Sequence, residues 1–231
     1  MLAPVAKRSG REEESAGRLT RLPPGRHGLS REFVSQNQRD RIAAGIIAAV
    51  AEHGYHETTI TAIATAAGLS RRTFYTYFAS KDECFFDTFE RIVEYLREAA
   101  TAAAEPCEEW PDRVRARLGA VLEIFAANPD LVRFLVIAPP RAGEEIAARY
   151  RRAMDKALAE VTEGIPAELA ARQPSRSAEH ALVGGAAALV ARKVEAGEGE
   201  RLPELLPDLL ELTLTPYMGR EEAVRIARGG S

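Results

Sequence analysis

The sequence predicts an all-α protein, with a three-helix helix-turn-helix unit near its N-terminus and a larger helical body after it. Three observations carry this. From about residue 35 onward apolar residues recur every three or four positions, as in Ile42, Ile46 and Val50, which gathers them on one helix face. Hydroxyl residues precede the early runs and glycines close them, the usual start and stop of a helix. No segment alternates apolar and polar residues between turn signals, as a half-buried strand would.

Taken in order, residues 1–34 are punctuated by Gly10, Gly17, Gly25, Gly28, Pro4, Pro23 and Pro24, and no apolar period survives there. Seven basic residues face four acidic ones, a net +3. This reads as a flexible basic arm or a solvated leader. A helix follows from about Ser35 and stops at Gly54. Thr59 caps a short helix carrying Ile60, Ile63, Ala64 and Ala67, closed by Gly68. Ser70 caps another to about Tyr77. Ser80 caps a third, whose Phe85, Phe89, Ile92 and Leu96 form one stripe to about Ala104, with Asp82 and Glu83 complementing the dipole in its first turn.

Beyond Pro106 the periods place helices at about 111–127, 130–137 and 141–163, bounded by Asn128-Pro129 and Pro139-Pro140. The run from Leu131 to Ala138 is short enough to be a buried strand instead. A helix at 177–196 precedes a glycine-rich turn. Pro203 opens a leucine-dense helix to Tyr217, with Pro207 marking a later place where it can start, and Gly219 sets off a short last helix. The division expected is 1–34 as arm, 35–80 as helix-turn-helix domain and 81–231 as helical body.

Composition narrows the function. The 231 residues are 46% hydrophobic and 28% charged, enough apolar material for a sizeable core. Two cysteines make no disulfide framework, no apolar run reaches the length of a membrane span, and the first residues lack a signal-peptide core, so a cytoplasmic protein is expected. The net charge of −3 points away from nucleic acid when taken whole. It is not evenly spread. The arm holds +3 and the window Thr58–Lys81 another +3, with no acid in it, which leaves −9 for the rest.

That window carries the chemistry. Two short helices joined by Ala67-Gly68-Leu69-Ser70 have the length and turn of a helix-turn-helix. On the second helix Phe74 and Phe78 take the buried side. Arg72, Thr73 and Thr76 lie opposite, with Tyr75 and Tyr77 on the flanks, and Arg71 projects toward the buried side. Arg, Thr and Tyr can hydrogen-bond base edges and phosphate oxygens. Lys81 is a cation in the first turn of a helix, where it opposes the dipole. A docked phosphate would offset that, and so would pairing with Asp82 or Glu83. A structural helix pair uses the same Gly-containing turn.

The run resembles the DNA-binding domain of the TetR/AcrR family of bacterial transcriptional regulators. Gly54-Tyr55, the Thr59 cap, Ile63-Ala64-Thr65-Ala66-Ala67-Gly68-Leu69-Ser70 and Phe74-Tyr75-Thr76-Tyr77-Phe78-Ala79-Ser80-Lys81 fall in register with the family pattern, with Leu69 where Val is commoner. The likeness spans about Arg39 to Phe89. It implies that Thr59 and Thr61 approach a phosphate strand, that Arg71, Arg72, Thr73 and Thr76 probe the major groove, that Tyr75, Tyr77 and Lys81 hold phosphates, and that Ser70 belongs to the same DNA-binding set. It also implies a homodimer on a near-palindromic operator, released by a small-molecule effector. The arm would then enter the neighbouring minor groove or only add nonspecific attraction.

In the body, Ala181, Gly184, Gly185, Ala188 and Ala191 line one side of 177–196, and Leu205, Leu206, Leu209, Leu210, Leu212 and Leu214 crowd the leucine-dense helix. These form a four-helix dimer interface or an ordinary core. Phe89, Trp110, Phe125, Phe134 and Tyr150 are candidate lining of an effector pocket, although each taken alone suits core packing better. A lipophilic effector fits such a lining. No catalytic motif, cofactor loop or metal-ligand spacing is present, so neither an enzyme nor a metal or cofactor is expected. A transcriptional activator and a helical protein-interaction scaffold are the alternatives.

Overall fold

The computed structural model describes residues 31–172 and 174–229, with side chains from residue 35 onward. Among these the chain forms eleven α-helices and no strand. The basic arm lies outside the described residues over 1–30, while 31–34 form the first turn of α1 (Arg31–Glu57). The regular first stretch of α1 stops at Gly54 as expected, since its φ of 76° and ψ of 166° are not helical and a kink joins two helical stretches there. One more turn follows, and Thr58 N donates to Gly54 O at 3.2 Å.

The next three helices are α2 (Ile60–Ala67), α3 (Arg71–Tyr77) and α4 (Lys81–Ala104). α1 and α2 touch at Gly45, where an added Cβ would lie 2.6 Å from Ile63 O and 2.9 Å from Ala67 N. Only a residue without Cβ lets the two backbones come that close. Arg41 on α1 then donates through Nη2 to Ala67 O at 2.8 Å and Gly68 O at 2.7 Å. This ties the turn between α2 and α3 to the first helix. Ile42, Ile46, Ile63 and Phe74 are fully buried beneath it.

The body continues with α5 (Trp110–Ala127) and α6 (Pro129–Val132). The run that allowed a strand is helical. α6 passes into a π-helical turn, Arg133–Ile137, closed by Ala138 N donating to Arg133 O at 2.9 Å. Pro139–Arg141 make a 3₁₀ turn before α7 (Glu144–Thr162). A short α8 (Ala167–Ala170), invisible in the apolar pattern, precedes α9 (Arg176–Glu195). Gly199–Leu205 are 3₁₀, so the leucine-dense helix α10 (Leu206–Met218) starts at the second of its two prolines, followed by α11 (Arg220–Ala227).

Two apolar clusters hold these elements. The larger runs from Ile42 through Phe85, Phe89, Phe125 and Phe134 to Val194 and Leu209, so no break in the core falls at residue 80. The smaller joins Trp110 and Val114 of α5 to Leu210, Leu214 and Tyr217 of α10 and Ala223 and Ala227 of α11. Leu209 and Leu210 are 3% and 0% exposed within one protomer, so they leave the set expected at a dimer interface. The reason is that α10 is contacted from both clusters, and its leucines fill two internal faces at once. Trp110 likewise leaves the expected pocket lining. Its ring meets Tyr217 edge-on at 5.4 Å and its Nε1 donates to Val161 O at 3.0 Å, which anchors it in the smaller cluster.

Candidate nucleic-acid interface

Helix α3 is built from its caps inward. Thr59 Oγ1 accepts from Ala62 N at 3.1 Å and starts α2. Gly68 ends it at φ 63° and ψ 37°, a left-handed conformation that strains any residue with a Cβ. Leu69 N returns to Ala64 O at 2.8 Å, completing the turn. Ser70 Oγ accepts from Thr73 N at 3.0 Å and starts α3. At seven residues α3 is too short to be stable alone. Phe74 and Phe78, 0% and 3% exposed with rings 5.8 Å apart, sink it into the larger apolar cluster.

Opposite those rings, Arg71, Arg72, Tyr75 and Thr76 are exposed, and Thr73 and Tyr77 are half-buried. Arg71 thus stands outside, although its helical projection turned it inward. It is the first residue of α3, with no preceding turn of that helix to pack against. Thr59, Thr61 and Ser70 are exposed at the starts of α2 and α3. Thr76 Oγ1 donates to Arg72 O at 3.1 Å, while its methyl remains available for apolar contact. No ion pair engages Arg71 or Arg72 among the described residues. The surface is therefore a cationic, hydroxyl-rich strip on a rigid seat, the type that docks on phosphates and reads base edges.

Two residues of the strip's margin are held from within. The Lys81 ammonium donates to Tyr55 O at 2.8 Å and His56 O at 3.4 Å, and lies 4.3 Å above the Tyr55 ring. Burial lowers its pKa, against the pull of Asp82 and Glu57. Carbonyls at the end of α1 thus satisfy the cation at the start of α4, and neither a phosphate nor Asp82 or Glu83 is needed for that. Asp82 instead accepts from the Tyr55 hydroxyl, and Glu83 Oε2 accepts from Ala79 N at 2.6 Å. Tyr77 Oη donates to Gln38 Oε1 at 2.8 Å. Sequence reasoning missed Arg41, Gln38 and Tyr55 as partners of this strip. Only Tyr55 carried a signal, as the aromatic after Gly54.

The body's candidate residues separate. Phe89, Phe125 and Phe134 share the larger cluster, with Phe134 4.5 Å from Phe85, and Tyr150 is half-buried at its edge. A cleft of about 410 Å³ lies elsewhere, between α1, the α3–α4 junction and α7, lined by Arg39, Phe78, Phe86, Asp87, Glu145 and Arg149 among others. Arg149 stacks on Phe86 at 3.9 Å there. None of the five expected pocket residues lines it. On α9, Ala181, Gly184 and Ala188 are exposed together, Gly185 is half-buried near Leu212, and Leu206 is half-buried near Gly119 of α5. No group of three or more His, Cys, Asp or Glu among the described residues is placed to hold a metal ion. No described helix is long and apolar enough to cross a membrane.

Comparison with known proteins bears on both regions. Residues 42–88 match the model for bacterial regulatory proteins of the tetR family. The chain is 32% identical over 72 residues to the uncharacterized HTH-type transcriptional regulator YhgD of Bacillus subtilis, covering 31% of this chain and 38% of that protein. It is 33% identical over 70 residues to the fatty acid metabolism regulator protein of B. subtilis, covering 27% and 36%. The aligned part thus spans under half the length of these relatives. Whole-fold likeness reaches further. A fatty acid degradation regulator, FadR, of Bacillus halodurans superposes with a TM-score of 0.67 at 18% identity, over 79% of this chain and 95% of that one. FadR of B. subtilis in complex with stearoyl-CoA gives 0.63 at 16% identity, over 78% and 98%.

Proposed function

We propose that residues 42–88, which match the tetR-family model, are a DNA-binding domain, and that the chain is a ligand-responsive transcriptional repressor acting in the cytoplasm. It binds a near-palindromic operator as a homodimer and leaves it when a small effector binds the body. The observation that carries this is the strip of exposed Arg71, Arg72, Tyr75 and Thr76 with half-buried Thr73, seated on buried Phe74 and Phe78. Arg71, Arg72, Thr73 and Thr76 probe bases, while Thr59, Thr61, Ser70 and Tyr75 meet the backbone. The exposed small residues Ala181, Gly184 and Ala188 support pairing of α9 with a second copy. Half-sites on one DNA face lie about 34–36 Å apart, so a few ångströms of separation between the two reading helices undoes simultaneous docking. A coupling of about 1–3 kcal/mol between effector and DNA is typical of such proteins.

The effector class to try first is lipophilic. The aromatic residues of the larger cluster support this, as does the structural neighbour in complex with stearoyl-CoA. The test is selection of bound duplexes from a random pool by the full chain, repeated with long-chain fatty acids and acyl-CoA esters. A two-fold symmetric consensus, lost on adding one of these compounds, is the expected result. Absence of any duplex binding at low salt overturns the reading in favour of a protein-interaction scaffold.

A further inference from the structure

The bond between Tyr77 and Gln38 reverses the roles that the sequence suggests for this corner. Tyr77 gives its only hydroxyl proton to Gln38 Oε1 at 2.8 Å. A phosphodiester oxygen accepts hydrogen bonds and cannot donate one, so Tyr77 has no proton for it while that bond holds. Gln38 has the opposite balance. Its oxygen is occupied and its amide plane thereby fixed, yet Nε2 carries two hydrogens with no partner among the described residues. The side chain is half-buried and stays in reach of solvent. It sits level with the last turn of α3, one turn beyond Thr73 on the reading helix. Arg39 braces the arrangement, its guanidinium 5.8 Å from the Tyr77 ring centre and 5.7 Å from that of Phe78.

We propose that Gln38 is a backbone contact of the DNA interface, its amide donating to a phosphate oxygen, and that Tyr77 is the positioning residue that aims it. This rests on the DNA-binding reading above. The experiment titrates the full chain against a random-sequence duplex over a salt series, using wild type, Gln38→Ala, Gln38→Lys, Tyr77→Phe and the Gln38→Ala/Tyr77→Phe pair. Gln38→Ala weakens binding about 5–10-fold at every salt concentration and leaves the salt slope unchanged, because no charge is lost. Gln38→Lys restores affinity and steepens the slope by about 0.9, the signature of one added phosphate contact. Tyr77→Phe costs less than Gln38→Ala and adds nothing to it in the pair.

If Tyr77→Phe costs as much as Gln38→Ala or more, Tyr77 touches the phosphate and the proposal is overturned. Wild-type affinity in Gln38→Ala overturns it equally. So does failure of Gln38→Lys to regain affinity while its melting temperature matches wild type, since a structural role alone predicts no such rescue. A wild-type chain that binds no duplex at low salt removes the DNA-binding reading itself, which the variant series alone does not touch.

Discussion

Replacing Lys81 with Met keeps the length and apolar stem of the side chain and removes only the ammonium. Three contacts disappear with it: the hydrogen bonds to Tyr55 O at 2.8 Å and His56 O at 3.4 Å, and the cation over the Tyr55 ring at 4.3 Å. A charged donor in a good bond contributes about 1.5–3 kcal/mol, and an exposed cation–π contact about 0.5–1 kcal/mol. The second bond is long and adds little. Against these stand the cation's opposition to the α4 dipole, about 0.3–1 kcal/mol, and partial screening at a half-buried site. The balance is a loss of about 1–2 kcal/mol, or roughly 2–8 °C in melting temperature for a chain of this size. Thermal unfolding followed by circular dichroism reads this directly, with duplex titration over a salt series in parallel. The expected result is a lower melting temperature and a salt slope that falls by less than one phosphate contact. An unchanged melting temperature with a slope shallower by about 0.9 would refute the reasoning, because Lys81 would then serve DNA and not the joint between α1 and α4.

Gly45→Ala should destabilise by about 1–3 kcal/mol or more, because its Cβ meets backbone atoms of Ile63 and Ala67 that cannot move aside separately; an unchanged melting temperature would mean that α1 and α2 are farther apart than described. Arg72→Ala should relax base preference at particular operator positions, whereas Tyr75→Phe should weaken all sequences alike. Selected-duplex profiles of the two variants test this, and an intact preference in Arg72→Ala removes Arg72 from the reading set. Burial pushes the Cys84 thiol from 9.0 up to about 12, and burial beside Glu179 pushes the Tyr217 hydroxyl from 10.0 up to about 12. In the unfolded chain both deprotonate earlier, so their contribution to stability is complete below pH 9 and is lost as pH rises from there toward 12. Chemical denaturation at pH 8 and pH 10.5 should show that decline, and a thiol reagent should label half-buried Cys107 well before Cys84. Equal labelling rates would contradict the burial.

The legible part of this protein is its local part. Thr59, Ser70 and Ser80 each cap the helix they were expected to cap, and Gly68 takes the left-handed turn. Those signals act within three or four residues, where one hydroxyl and one backbone N–H decide the outcome. The α6–π segment was ambiguous because an eight-residue apolar run satisfies a buried strand and a buried helix alike. The α10 start was ambiguous for a related reason, since Pro203 and Pro207 both suit a first turn. Burial at one end, in the 3₁₀ turn packed on α5 and α9, selects the second.

By itself the sequence determined that the chain is helical, where the turn between α2 and α3 lies, and which surface of α3 carries arginine, threonine and tyrosine without acid. Caps, glycine and period are properties of neighbouring residues, so a string of letters contains them. Only the tertiary structure decided which groups are already engaged. Lys81 meets carbonyls 25 and 26 residues earlier, Tyr77 gives its proton to a glutamine 39 residues earlier, and Leu210 and Trp110 close a core shared by α5 and α10. Each outcome depends on a partner brought near by packing, and a hydrogen atom or an apolar face used within the protomer is no longer available to DNA or to a second copy.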